Sequence, residues 1–208
     1  MKKIVYLFLL FIATQAAAQT PEQEAKKILD QVGTKVKASK GITAKITLKS
    51  ISAKGKDMGA QSGNISMKAN KYVLKKGKSE VVCDGVNVYT FDGAKTITVA
   101  SLEESSGSLS PQKILSGSYD KDFSYTLVSK AGNSYQIDLK PLDARKNFTK
   151  ASLFIDKKQS MITKAKVVDK TNNVTELIIA NLNLSANLPD ASFKFNKAKY
   201  PADVEVLD

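Results

Sequence analysis

One short stretch gathers side chains that catalysis uses. In EVVCDGVNVYTFDG, residues 80–93, Cys83 is followed by Asp84, Tyr89 and Asp92. A thiol among carboxylates invites a nucleophilic reading. The supporting chemistry is missing, because the reactive species is the thiolate, and a neighbouring base or cation must lower its pKa. The chain contains no histidine, and no Lys or Arg adjoins Cys83 in sequence. Without histidine there is no Ser-His-Asp or Cys-His catalysis and no His-ligated metal. The chain also lacks a Gly-rich phosphate loop and a GxSxG elbow. Carboxylate-only catalysis is the enzymatic class left open, because acidic pairs are not recognisable from sequence. The expectation is a non-enzyme with no cofactor and no metal site. Cys83 then reads as a small buried hydrophobe. Asp84-Gly85 and Asp92-Gly93 read as turns on either side of the strand VNVYTF.

The first residues look like a leader. Met1-Lys2-Lys3 is basic, Ile4 to Ala13 is an apolar run, and Ala16 to Ala18 supplies small residues for a peptidase. Such a run is short of the ~20 apolar residues needed to span a bilayer. Residues 1–18 are therefore expected to be a cleaved signal peptide, and 19–208 one soluble, exported domain. A single cysteine allows no internal disulfide, so the domain must rely on its apolar core.

Formal charge is +12, with Arg145 the only arginine. Removing Lys2 and Lys3 leaves +10. Base readers use arginine forks and stacked aromatics. Here lysines alternate along strand-like segments, the pattern of a solvated basic face. No nucleic-acid partner is expected, while attraction to anionic membrane surfaces stays open.

TPEQEAKKILDQVGTKVKASKG, residues 20–41, has the pattern of a helix. Thr20 is an N-cap with Gln23 three residues on, and Pro21 suits the first helical position. Ala25, Ile28, Leu29, Val32 and Val36 form one apolar stripe, and Gly41 is the expected stop. Period-two alternation follows almost to the end of the chain. It sets Ile46 and Leu48, Ile65 and Met67, and Ile97 and Val99 against polar neighbours, and gives Tyr72 and Leu74, Tyr125 and Leu127, and Tyr135, Ile137 and Leu139. ASLFID, TKAKVVDK and VTELIIANLNL continue it, the last with Leu177 and Ile179. SPQKIL, residues 110–115, interrupts the strands with a short helix capped by Ser110 and bearing Ile114 and Leu115. LPDASFKF suggests a further helical turn, and ADVEVLD a closing strand.

About ten strands with one apolar face should form one large antiparallel sheet that curls. Two architectures bury that face. A closed sandwich or barrel leaves the helix stripes unpartnered. An unclosed barrel with the helices laid in its concave side uses them, and it is favoured for that reason. The covered face is then either a filled core or a cavity for an elongated apolar ligand.

The ordered set GNISMKANKYVL, VCDGVNVYTFD, SPQKILSGSYDKDFSYTL, YQIDLKP, NFTKASLFID and NVTELIIANLNLSANLPDASFKFNKAKYPADVEVLD resembles the LolA family of periplasmic lipoprotein carriers across the whole mature chain. The resemblance implies an unclosed antiparallel β-barrel with α-helices as a lid over an apolar concave face. It also implies a monomeric periplasmic carrier that shuttles lipoprotein acyl chains from an inner-membrane ABC transporter to an outer-membrane acceptor. The alternative of the same fold is a regulatory module sensing lipoproteins or lipids. On this reading the acyl chains contact Ile46, Leu48, Ile65, Met67, Tyr72, Leu74, Ile97, Val99, Tyr125, Leu127, Tyr135, Ile137, Leu139, Leu177 and Ile179. The lid uses Ile28, Leu29, Val32, Ile114 and Leu115. Some members latch the lid with an arginine after the strand matching GNISMK. Lys68 stands near that place and is the candidate lid contact, without arginine's planar fork.

Overall fold

The computed structural model describes residues 19–103, 109–116, 119 and 121–207. The signal peptide expected over residues 1–18, and part of the segment before SPQKIL, lie outside the described residues.

The N-terminal helix α1 spans Pro21–Ala38. Its start is a reciprocal capping box. The Gln23 backbone N–H donates to Thr20 Oγ1 at 3.2 Å, and the Thr20 N–H donates to Gln23 Oε1 at 3.0 Å. Glu22 and Glu24 in the first turn, and Lys35 and Lys37 in the last, complement the helix dipole. The helix stops earlier than the glycine suggested, at a Ser39 C-cap in extended conformation. Gly41 instead bridges to Ser185. A Cβ there would stand 2.6 Å from the Ala186 carbonyl oxygen, so a close backbone crossing requires this glycine.

Twelve strands follow among the described residues: β1 (Ile42–Ile51), β2 (Asp57–Lys68), β3 (Lys71–Lys76), β4 (Ser79–Cys83), β5 (Asn87–Phe91), β6 (Thr96–Ser101), β7 (Phe123–Ser129), β8 (Ser134–Pro141), β9 (Phe148–Asp156), β10 (Met161–Asp169), β11 (Val174–Asn183) and β12 (Glu205–Leu207). Between β6 and β7 lies α2 (Pro111–Leu115), with Ser110 Oγ accepting from the Lys113 N–H. The sheet order is β12-β6-β5-β4-β3-β2-β1-β11-β10-β9-β8-β7. The edges, β12 and β7, do not meet, so the barrel is unclosed. All pairings are antiparallel except the last: β12 runs parallel to β6. After β11 the chain crosses the outer face, makes two 3-10 turns (Asp190–Phe193 and Lys197–Lys199), and adds β12 at the far edge.

The main core lies in the concavity. Ala25, Leu29 and Val32 of α1 and Ile114 and Leu115 of α2 are buried against strands from both arms of the sheet. α1 lies on β7 and β10, and α2 on β10. No described helix is long and apolar enough to cross a membrane.

Candidate functional site

The stretch that first suggested chemistry is structural. β4 ends at Cys83 and β5 begins at Asn87. Asp84 Oδ1 accepts the backbone N–H groups of Val86 and Asn87, and Asp92 Oδ1 accepts those of Ala94, Lys95 and Thr96. Both carboxylates are turn caps. The Cys83 thiol is buried and donates to the Asn70 carbonyl at 3.6 Å, a sulfur contact. Burial pushes its pKa up, which disfavours the thiolate. Burial, followed by the neighbouring Cys83, pushes Tyr72 up to about 12.

The feature that can do something is the concave face. Strand pairing shows which side chains share it, because directly opposed residues point to the same side. One rung runs Ile46–Ile179 between β1 and β11, and the next runs Leu48–Leu177–Ala165–Leu153–Ile137–Leu127 through to β7. On the other arm, Ala44 opposes Ile65, Ile65 opposes Leu74, and Met67 opposes Tyr72. Tyr125 opposes Leu139, and Tyr135 opposes Ile155. None of these groups is charged. Among the described residues Ser152 is the only polar residue in the buried set. Such a wall can hold apolar matter.

Thirteen of the fifteen residues expected in the lining are therefore brought together, with Ile28, Leu29, Val32, Ile114 and Leu115 packed over them. At the seam between α1 and β7–β8 a groove of about 270 Å³ opens to solvent, with Ile28, Leu127 and Tyr135 among its walls.

Ile97 and Val99 are not part of this face. The cross-strand series Ile65–Leu74–Val81–Thr90–Thr98 faces inward, while Ser66–Val73–Val82–Tyr89–Val99 faces outward. Alternation revealed that one side of β6 is apolar, but not which side of the sheet that is. Ile97 packs outside with Phe91 and Val204, beside Val99, Phe195 and Tyr200.

Lys68 also points outward. Among the described residues its polar partners are the Leu188 carbonyl at 3.2 Å and Asp190 Oδ1 at 2.9 Å. It anchors the C-terminal segment rather than the helices, because the register that turns Met67 inward turns Lys68 away from them.

Several contributors to the face went unread. Ala151, Leu153 and Ile155 of β9 and Ala165 of β10 are fully buried in the same core. Their signal was present in ASLFID and TKAKVVDK, segments recognised as strands with no face assigned.

A sequence model of the family described as "Outer membrane lipoprotein carrier protein LolA" matches residues 37–196. No curated protein matches the chain. Among solved structures, an uncharacterized conserved protein from Thermus thermophilus is similar, with TM-score 0.57, 14% identity, and coverage of 89% of this chain and 99% of that one. A putative outer membrane lipoprotein-sorting protein domain from Vibrio parahaemolyticus is similar at TM-score 0.50 and 11% identity, covering 83% and 97%. At these identities the structural likeness speaks to the fold.

Proposed function

This chain belongs to the LolA family, and on that premise we propose that it carries the acyl chains of lipoproteins across the periplasm, from an inner-membrane ABC transporter to an outer-membrane acceptor. Residues 1–18 are its export leader, and the acyl chains occupy the concave face in place of α1 and α2.

The observation that carries this reading is an extended apolar wall whose cover is two helices that form no strand ladder with it. Burying a CH₂ group stabilises by about 0.8 kcal/mol, so a long acyl chain gains roughly 10 kcal/mol over water. A lipoprotein therefore does not cross an aqueous gap alone. The carrier must match that surface and still release it. Exposing Leu29, Val32, Ile114 and Leu115 as the helices lift offsets part of the gain, which keeps binding reversible. The groove beside Ile28, Leu127 and Tyr135 is where a chain end first reaches the wall.

The test is binding of a lipoprotein anchor by the purified chain from residue 19 onward, with Leu48→Glu plus Ile137→Glu as the comparison. Binding by the parent and loss in a folded double variant is expected. No binding by the parent, or parental affinity in the variant, overturns the reading. Transfer between donor and acceptor membranes then separates carriage from sensing, since a sensor binds without delivering.

A further inference from the structure

The C-terminal segment does not lie flat on the outer face of the sheet. It leaves a cleft of about 410 Å³ between itself and β2–β4. The back wall is the outward rung Ser66–Val73–Val82, and Ser192, Lys194, Lys199 and Tyr200 face it from the segment. Three lysines line the cleft, Lys75, Lys194 and Lys199, against one acid, Glu80. That acid is already engaged. The Tyr200 hydroxyl donates to Glu80 Oε2 at 2.6 Å, and Lys75 Nζ lies 3.3 Å from Oε1. Asp190, the other acid close by, is paired with Lys68 at 2.9 Å and also attracts Lys71 and Lys194 at longer range. Among the described residues, no carboxylate stands within ion-pair distance of Lys194 or Lys199. A second hollow of about 240 Å³ shares Lys75, Glu80, Lys199 and Tyr200 and adds Lys78.

The segment that presents Lys194 and Lys199 is packed onto the sheet by ring stacking. Tyr89 and Phe195 stack with ring centres 4.2 Å apart and planes 3° from parallel, and Phe195 in turn stacks on Tyr200 at 5.7 Å. Packing of this kind helps hold a binding group in place. The lining is hydroxyl-rich as well as cationic, unlike the concave face.

We propose that this convex cleft binds a phosphate-bearing anion of headgroup size, held by Lys75, Lys194 and Lys199, with Ser66 and Ser192 meeting the ligand's hydroxyl groups. Lysine serves phosphate as a compact point charge. The volume exceeds what phosphate alone fills, and a polar body such as glycerol suits the remainder. Two sources carry this chemistry, a free phosphate ester and the headgroup of an anionic phospholipid. The site is separate from the acyl-binding face and stands whether or not that face carries lipoproteins.

The experiment follows amide shifts of the chain from residue 19 onward during titration with glycerol 3-phosphate, glycerol, and short-chain phosphatidylglycerol and phosphatidylcholine below micelle concentration. Glycerol 3-phosphate should shift Ser192 to Lys199 and glycerol should not. The effect should weaken as salt is added. K194Q/K199Q, which keeps the core intact, should lose at least tenfold in affinity while retaining its thermal midpoint. Equal response to glycerol, unchanged affinity in K194Q/K199Q, or shifts confined to other faces overturns the proposal. Phosphatidylglycerol binding tighter than the free ester, with phosphatidylcholine silent at these amides, identifies the lipid headgroup as the source. Equal or weaker phosphatidylglycerol binding identifies the free ester.

Discussion

One sheet buries apolar residues on both of its faces, and the two covers differ in kind. On the concave side α1 and α2 lay apolar stripes on the wall and make no strand pairing with it. Among the described residues their polar ties include Lys130 to Glu24 at 2.6 Å, Lys35 Nζ to the Gln159 carbonyl at 2.5 Å and Lys113 to Asp122 at 2.6 Å at the periphery, and the buried Tyr119 hydroxyl donating to the Ile114 carbonyl. On the convex side the C-terminal segment joins the sheet itself. β12 pairs with β6, Phe193 is fully buried against Val73 and Val82, and the Tyr200–Glu80 bond and the Lys95–Asp203 pair at 2.8 Å pin the rest. Apolar contact is non-directional, so another apolar body can replace it. Backbone pairing and directed hydrogen bonds are specific to their partners. The first cover is suited to exchange and the second to permanence.

The largest effect expected on this contrast comes from Phe193→Ala. Truncating this fully buried ring should cost about 3–5 kcal/mol in chemical denaturation and leave acyl affinity within twofold. Leu29→Ala, on the helical cover, should cost about 2–4 kcal/mol yet tighten acyl binding, because less apolar surface is displaced on loading. If the two variants change acyl affinity alike, the distinction between the covers fails. Tyr200→Phe removes one of the two partners of the part-buried Glu80, leaving Lys75, and should lower stability by about 1 kcal/mol, again with acyl affinity unchanged.

Acid should act on the outer face. The Lys166 ammonium at 2.8 Å leads the interactions that hold the Glu176 carboxyl below its ordinary 4.5. Burial pushes Asp138 upward, but bonds from Lys150, Ser152 and Gln136 outweigh it and leave it below 3.8. Lowered folded-state values mean that the stability they supply is full above the unfolded values and drains as pH falls through the folded ones. The thermal midpoint should be flat from neutral pH to about pH 5 and fall below about pH 4. Glu176→Gln plus Asp138→Asn should flatten that fall. The smallest effect belongs to Lys68→Ala. Its pair with Asp190 is exposed, and water and salt screen it, so the thermal midpoint should barely move. A large gain or loss of acyl binding in this variant would return Lys68 to the lid.

The chain's local chemistry was legible where it is self-contained. Thr20 and Gln23 announced the start of α1, Ser110 and Pro111 that of α2, and the Asp-Gly pairs the turns around β5, because caps and turns are settled within a few residues. The absence of histidine narrowed the enzymatic readings from composition alone. Alternation identified the strands and, for most of them, the residues now found on one wall.

What only the tertiary structure decided was which side of the sheet each apolar row faces. A period of two divides a strand into two faces without saying which is concave. Ile97 and Val99 alternate as cleanly as Ile46 and Leu48, yet they face outward. The choice depended on a partner far away in sequence: Val204, Phe195 and Tyr200 cover the outer side of β5–β6, and β12 closes its edge in parallel. The same long-range crossing sets the roles of Lys68 and Gly41, since neither residue's partners lie within its own strand or turn.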